Sequence, residues 1–429
     1  MAHLSTRIAI GLLLASTTLT PAVALAQSEP AANDGQRLST QSQSTQTLFT
    51  AVWGGQAAQE WVKEHDAAIG SQAAPAPGPA TTAAAPLPTD FSNLSPGPAT
   101  CPKPGSTATS GITTPKVTAS RVQADTTNET LTKTTVPGTE GKIIKIDIMA
   151  LDQASQKLYV ADRDTVGVDV FDVSANPAKF VTTLKTPAQP NGVVIAGSHV
   201  VAGLCDSSGV SIDPATGQIV GTISTGGQGR ADELDYDPVD NKVYLANSDD
   251  GLLTVIDMGN FKMIKQFTNL GAGLEQPRYD TANGMMYLTA GNGVYEFDPK
   301  TDTQVNLDSR SQVQGCTGIQ MNPKTNMGVI SCSDVIVYDF NEGAPSGTIA
   351  QACTGDEVAY SAALDVFVLP GGSACRFGAT ASFVGGTPIQ FISNVPILPG
   401  AHSTQINDSS KLAYIMGPDG LYSFPVPGR

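Results

Sequence analysis

The 429-residue chain predicts an all-β fold: a seven-bladed β-propeller closed by an N-terminal strand, behind a signal peptide and a polar tail. One phrase recurs, as KLYVADRDTVGVDVFD (157–172), KVYLANSDDGLLTVID (242–257), MMYLTAGNGVYEFD (285–298) and MGVISCSDVIVYD (327–339). Each copy reads as two short apolar runs around a polar turn. An Asp closes the later run at Asp172, Asp213, Asp257, Asp298 and Asp339, at spacings of 41, 44, 41 and 41. A period in the low forties with four strands per unit marks a propeller, whose blades cannot bury both faces alone and so stack around an axis. Composition agrees: 43 Gly and 29 Pro with only 6% aromatic residues suit turn-rich β structure better than long helices.

Residues 1–26 carry Arg7, the apolar run IAIGLLLA and Ala24-Leu25-Ala26 before Gln27, the pattern of a secretory signal too short to span a membrane. No later run reaches spanning length, so export to a periplasm or the extracellular space is expected. Residues 27–72 form a polar tail in which Phe49, Trp53, Ala57 and Trp61 recur at steps of four, predicting a helix over 47–69 that Gly54-Gly55 weakens. Phe49, Trp53 and Trp61 suit either packing within the tail or docking of a partner. Residues 73–124, rich in Pro, Ala and Thr, read as a linker.

The propeller occupies residues 125–429. A blade reads as strand a (ELDYDP), strand b (KVYLAN), strand c (LLTVID) and strand d (KMIKQF). Six copies are complete. The seventh stops after AHSTQI, KLAYIMG and GLYSFPV, and LTKTTVPG (131–138) resembles the strand-d segments, so it is the expected donor of the missing strand. That donation leaves no open sheet edge.

Aligning strands a places Asp147, Asn191, Asp232, Glu275, Thr317, Asp356 and His402 in one wholly polar column. Two residues on, Met149, Val193, Leu234, Pro277, Ile319, Val358 and Thr404 form a mostly apolar one. The second column belongs where blades pack. The first should ring one mouth of the central channel and serve as its ligand-binding rim. Four converging carboxylates (Asp147, Asp232, Glu275, Asp356) repel one another unless water solvates them, protons neutralise some, or a cation binds. Oxygen ligands of this kind suit Ca²⁺ or Mg²⁺. His402 is the candidate general base of that face, or else a hydrogen-bonded channel residue.

The runs KVYLAN and LLTVIDMGNFKMIKQF resemble the YVTN-type repeat of exported propellers, similar in layout to NHL and lactonase-like propellers, over residues 142–429. The resemblance implies the fold. It also implies that a divalent ion held by channel-lining carboxylates could serve hydrolysis, because lactonase-like propellers use such a site.

Six cysteines in an exported chain imply disulfides. Cys316 begins strand a and Cys332 ends strand b of blade five, opposite each other across a hairpin. Cys353 and Cys375 take similar places in blade six, and Cys205 is left for Cys101, strapping the tail across the mouth. A net charge of −15 argues against nucleic acid as a partner. The expected function is binding or scaffolding of a ligand or protein partner through the mouth face, and the alternative is metal-dependent hydrolysis of lactonase type. The propeller contains no Trp and no cluster of three Arg, which disfavours quinone-dehydrogenase and sialidase chemistry. No GxSxG, phosphate loop or HExxH occurs.

Overall fold

The recurring Asp marks a turn. Asp172, Asp213, Asp257, Asp298 and Asp339 each accept, on a side-chain oxygen, the amide two residues on, at 2.8–3.0 Å, and so shape the turn from strand c to strand d. Asp152, Asp237, Asp280, Asn322 and Asn407 do the same between strands a and b, at 2.8–2.9 Å. Short carboxylate and amide side chains mimic a backbone turn in this way, so the repeat period is written in turn chemistry.

These turns link strands in a computed structural model that describes residue 101, residues 131–371, residue 375 and residues 379–428. All belong to the unit Thr81–Arg429. The signal peptide, the tail with Phe49, Trp53 and Trp61, and the linker up to residue 124 lie outside the described residues, apart from Cys101.

The described residues form seven four-stranded antiparallel sheets, six of them in the simple order a-b-c-d. The seventh combines Thr404–Asn407, Leu412–Gly417 and Gly420–Pro425 with Thr132–Thr134, whose Lys133 pairs with Tyr422 in register. The donated strand is thus shorter than 131–138 and sits where it was expected. Successive strands a touch one another around a complete circle, including blade seven against blade one.

Burial follows the same circle. The apolar residues fall into seven clusters, and each spans one seam between neighbouring blades. At the closing seam Leu158, Val160 and Phe171 of blade one pack with Tyr414, Met416 and Leu421 of blade seven, and Val136 just after the donated strand joins them. A blade therefore buries its two faces only through its neighbours. The apolar column from Met149 to Thr404 is buried in every blade.

Candidate functional site at the channel mouth

The polar column lies within strand a in blades one and two (Ile146–Asp152, Pro190–Ala196) and opens it in blade four (Glu275–Tyr279). In the other blades it precedes the strand by two or three residues. The three blades with early starts carry an irregularity in register at this point, between Ile146 and Met149, Pro190 and Val193, and Glu275 and Arg278. Such bulges re-aim side chains at a sheet end. Here Asp147 and Asn191 lie within the irregularity and Glu275 borders it.

Contacts between blades bring the column together. His402 Nε2 lies 3.1 Å from Asp147 Oδ1, joining blades seven and one. Arg163, from the b–c loop of blade one, pairs with Asp147 Oδ2 and donates from Nε to Asn191 Oδ1 at 2.9 Å. Asn191 donates to the Ala231 carbonyl at 2.9 Å, reaching blade three. Arg230 donates to Asp232 at 2.6 Å, Ser248 to Glu275 at 2.9 Å, and Thr317 to the Gly355 carbonyl at 3.0 Å. Asp356 differs: among the described residues its carboxylate has no hydrogen-bond or ion-pair partner. It opens on a cleft of about 480 Å³ between blades five, six and seven, lined also by Thr317, Ser331, Thr354, Gly371 and His402.

Reading alternate residues missed the layer between the two columns. Glu233, Gln276, Glu357 and Ser403 each follow a column residue and are buried beneath the mouth. Gln276 Oε1 accepts the amides of Ile319 at 2.6 Å and Val358 at 3.1 Å, tying blades four, five and six. Ser403 donates to Glu357, which Arg278 approaches at 3.4 Å from the other side. Glu233 is 2% exposed, and among the described residues its Oε2 has no partner. The guanidiniums were missed as well. Arg163 and Arg230 come from loops, outside any strand-a alignment, and only Arg278 lies on a strand a.

Electrostatics follow from this packing. Burial opposes charge on Asp147, but the His402 hydrogen bond and Arg163 prevail and hold its carboxyl below the usual range. Burial also opposes the His402 charge, yet Asp147 and then Asp356 push the imidazole up to about 9. At neutral pH His402 is therefore an imidazolium that donates hydrogen bonds and has no lone pair to take a proton. Burial, reinforced by Asp147, raises Asp232 to about 7, and burial with Asp232 and Asp356 raises Glu275 to about 8. Burial pushes Glu357 up to about 7 and Glu233 well above the carboxylate range. Of the routes open to crowded carboxylates, internal guanidiniums and bound protons are both in use here.

Cys101–Cys205, Cys316–Cys332 and Cys353–Cys375 are the three disulfides. Cys332 lines the cleft, and Cys101 Sγ lies 3.0 Å from Asn191 Oδ1, so two of the bridges border the mouth itself. Disulfides persist in oxidising compartments. Among the described residues no helix is long and apolar enough to cross a membrane. No group of three or more His, Cys, Asp or Glu side chains among them stands close enough to hold one metal ion.

No protein-family model matches the chain, and no curated protein matches it. Among solved structures it is similar to a chain in the crystal structure of a mitotic checkpoint complex, at 12% identity and a TM-score of 0.58. That match covers 75% of this chain and all of the other. Likeness at this identity speaks for the fold alone: the chain is a seven-bladed β-propeller.

Proposed function

We propose that this is an exported binding propeller that holds a polar ligand or a protein partner on its channel-mouth face. The single observation that carries the reading is Asp356. Asp147 and Asp232 are paired with guanidiniums and Glu275 accepts the Ser248 hydroxyl, whereas Asp356 faces a cleft. Secretory features of residues 1–26 and the layout shared with YVTN-type repeats support export, and the propeller fold fits a binding or scaffold role.

The test is a ligand screen by thermal unfolding of the mature chain, followed by affinities for the compounds that raise the melting temperature. Asp356→Asn should weaken such a ligand at least tenfold. Lys300→Gln, in the turn from strand c to strand d of blade four, should leave the affinity unchanged. Equal affinity in both variants would remove the mouth as the site.

A second reading has Ca²⁺ or Mg²⁺ bind among Asp147, Asp232, Glu275 and Asp356 and activate water for hydrolysis, for which these carboxylates would have to draw closer together. It requires Asp147 and Asp232 to exchange Arg163 and Arg230 for the ion. His402 would then enter as an acid, given its charge. Metal analysis of the purified chain, with melting in chelator and in added Ca²⁺ or Mg²⁺, checks it: neither bound metal nor a shift would end this reading.

A further inference from the structure

The mouth and the layer below it hold more carboxyls than they neutralise. Asp147, Asp232, Glu233, Asp235, Glu275, Asp356 and Glu357 face only Arg163, Arg230, Arg278 and His402, so seven acidic groups meet four basic ones. Two of the seven, Asp356 and Glu275, have no guanidinium or imidazolium within ion-pair distance among the described residues, and cations act on them only at longer range. Asp356 lines the cleft with His402 nearby but not paired to it, and Glu275 accepts the Ser248 hydroxyl. Beneath them Glu233 is 2% exposed with an Oε2 unpartnered among the described residues, and Glu275 and Glu357 are among the groups that repel its charge. An unpartnered oxygen buried to this degree costs free energy that a donor entering the channel would recover.

We propose that the mouth site takes an organic cation, an ammonium or guanidinium group, which docks on Asp356 and Glu275 and displaces protons from the acidic layer. This rests on the mouth being the binding site. The geometry favours an organic cation over a metal. Hard divalent ions draw several oxygens to about 2.0–2.6 Å, and no three acidic, His or Cys side chains among the described residues are placed for that. An ammonium or guanidinium carries several N–H donors, each reaching a separate acceptor at about 2.7–2.9 Å, so it fits carboxylates spread around a rim. Protons stand in for the ligand when it is absent. Burial and mutual repulsion keep Glu275 and Glu233 protonated at neutral pH, and an incoming positive charge removes the reason for holding those protons. Binding therefore releases protons and tightens as pH rises. His402, losing its own charge toward about 9, acts in the same direction.

The experiment is titration calorimetry of the mature, disulfide-bonded chain with n-butylammonium, for a free amine, and a tetralysine peptide, for the side chain of a basic partner. Tetramethylammonium, butyrate, Ca²⁺ and Mg²⁺ are run at matched ionic strength. At least one of the two ammonium probes should bind, with fractional proton release when two buffers of different ionisation enthalpy are compared. Affinity should be at least threefold tighter at pH 8.5 than at pH 6.5. Asp356→Asn should weaken it about tenfold, and Glu275→Gln should keep the fold while lowering proton release. Absence of binding by both ammonium probes overturns the proposal. So does equal binding of tetramethylammonium, or binding without proton release. If instead a neutral or anionic compound binds and Asp356→Asn weakens it, the mouth remains the site and the organic cation is wrong. A response to Ca²⁺ or Mg²⁺ alone returns the site to the metal reading.

Discussion

Asp162 and Asp169 in blade one are both wholly buried, and among the described residues one oxygen of each has no partner but the other carboxyl. Asp162 Oδ1 accepts the amides of Asp164 and Thr165, while Asp169 Oδ1 accepts the Thr183 hydroxyl at 2.6 Å. Burial first, and then the neighbouring Asp162, raise Asp169 to about 8, so the pair carries a proton at neutral pH. Blade three shows the uncharged version, with Asn247 and Thr254 in the same two places of its register. The folded carboxyl holds its proton more tightly than the unfolded one. The stability it contributes is present in acid and is lost as pH rises through about 8. Asp169→Asn removes that dependence. It should melt close to the wild type at pH 6 and above it at pH 9, by roughly 1–3 kcal/mol. A variant less stable by the same amount at both pH values would contradict the shared proton. Unlike the strand-a column, this pair was not legible in the sequence, because a carboxylate ending strand b beside the b–c turn and another on strand c look like solvated turn residues until both are found buried.

Blades meet most tightly at their inner edges, and glycine makes this possible. A Cβ on Gly192 would lie 2.0 Å from the Asp232 carbonyl oxygen, and backbone cannot swing aside as a flexible side chain can. Gly192→Ala should therefore separate strands a of blades two and three and lower stability by about 3 kcal/mol or more. Gly347→Ala, on an outer strand with nothing within 4 Å, should change it by less than about 0.5 kcal/mol. Equal melting temperatures for the two variants would show that the inner packing yields. At this scale much was legible. Turn-forming Asp residues reported the period, and the likeness of 131–138 to strand d located the closing strand, because local turn chemistry and strand pattern are written contiguously. The bulges at Asp147, Asn191 and Glu275, and the partnership of Arg163 and Arg230 with the ring, arise from contacts between segments far apart in sequence. An alignment of strand a against itself therefore could not show them, nor that Asp356 would be left facing a cleft with no hydrogen-bond partner among the described residues.

Across the whole molecule, a net charge of −15 and a channel that stores protons have separable consequences. Exposed carboxylates are ionised well before pH 6, so the surface charge barely changes between pH 6 and pH 9 and salt screens it. The channel does change. Asp232 and Glu357 release protons near pH 7 and Glu275 near 8, while His402 loses its proton near 9. In every case the folded state binds the proton more tightly than the unfolded chain does. Stability thus falls as pH rises from the ordinary carboxylate and histidine ranges through these values. Asp147, held below the usual range, works oppositely, but only in acid outside this window. The melting temperature should drop between pH 6 and pH 9 by about ten degrees or more, since the four shifts together amount to on the order of 5–8 kcal/mol at roughly 2–4 °C for each. Raising the salt from 0.15 M to 0.5 M should barely alter the slope, because these groups are buried beneath the mouth. The double variant Asp232→Asn, Glu275→Gln should lessen it, leaving the part due to Glu357, His402 and Asp169. A melting temperature that is constant or rising over this range would mean that the carboxyls are ionised in the folded chain, with some other charge in the channel balancing them.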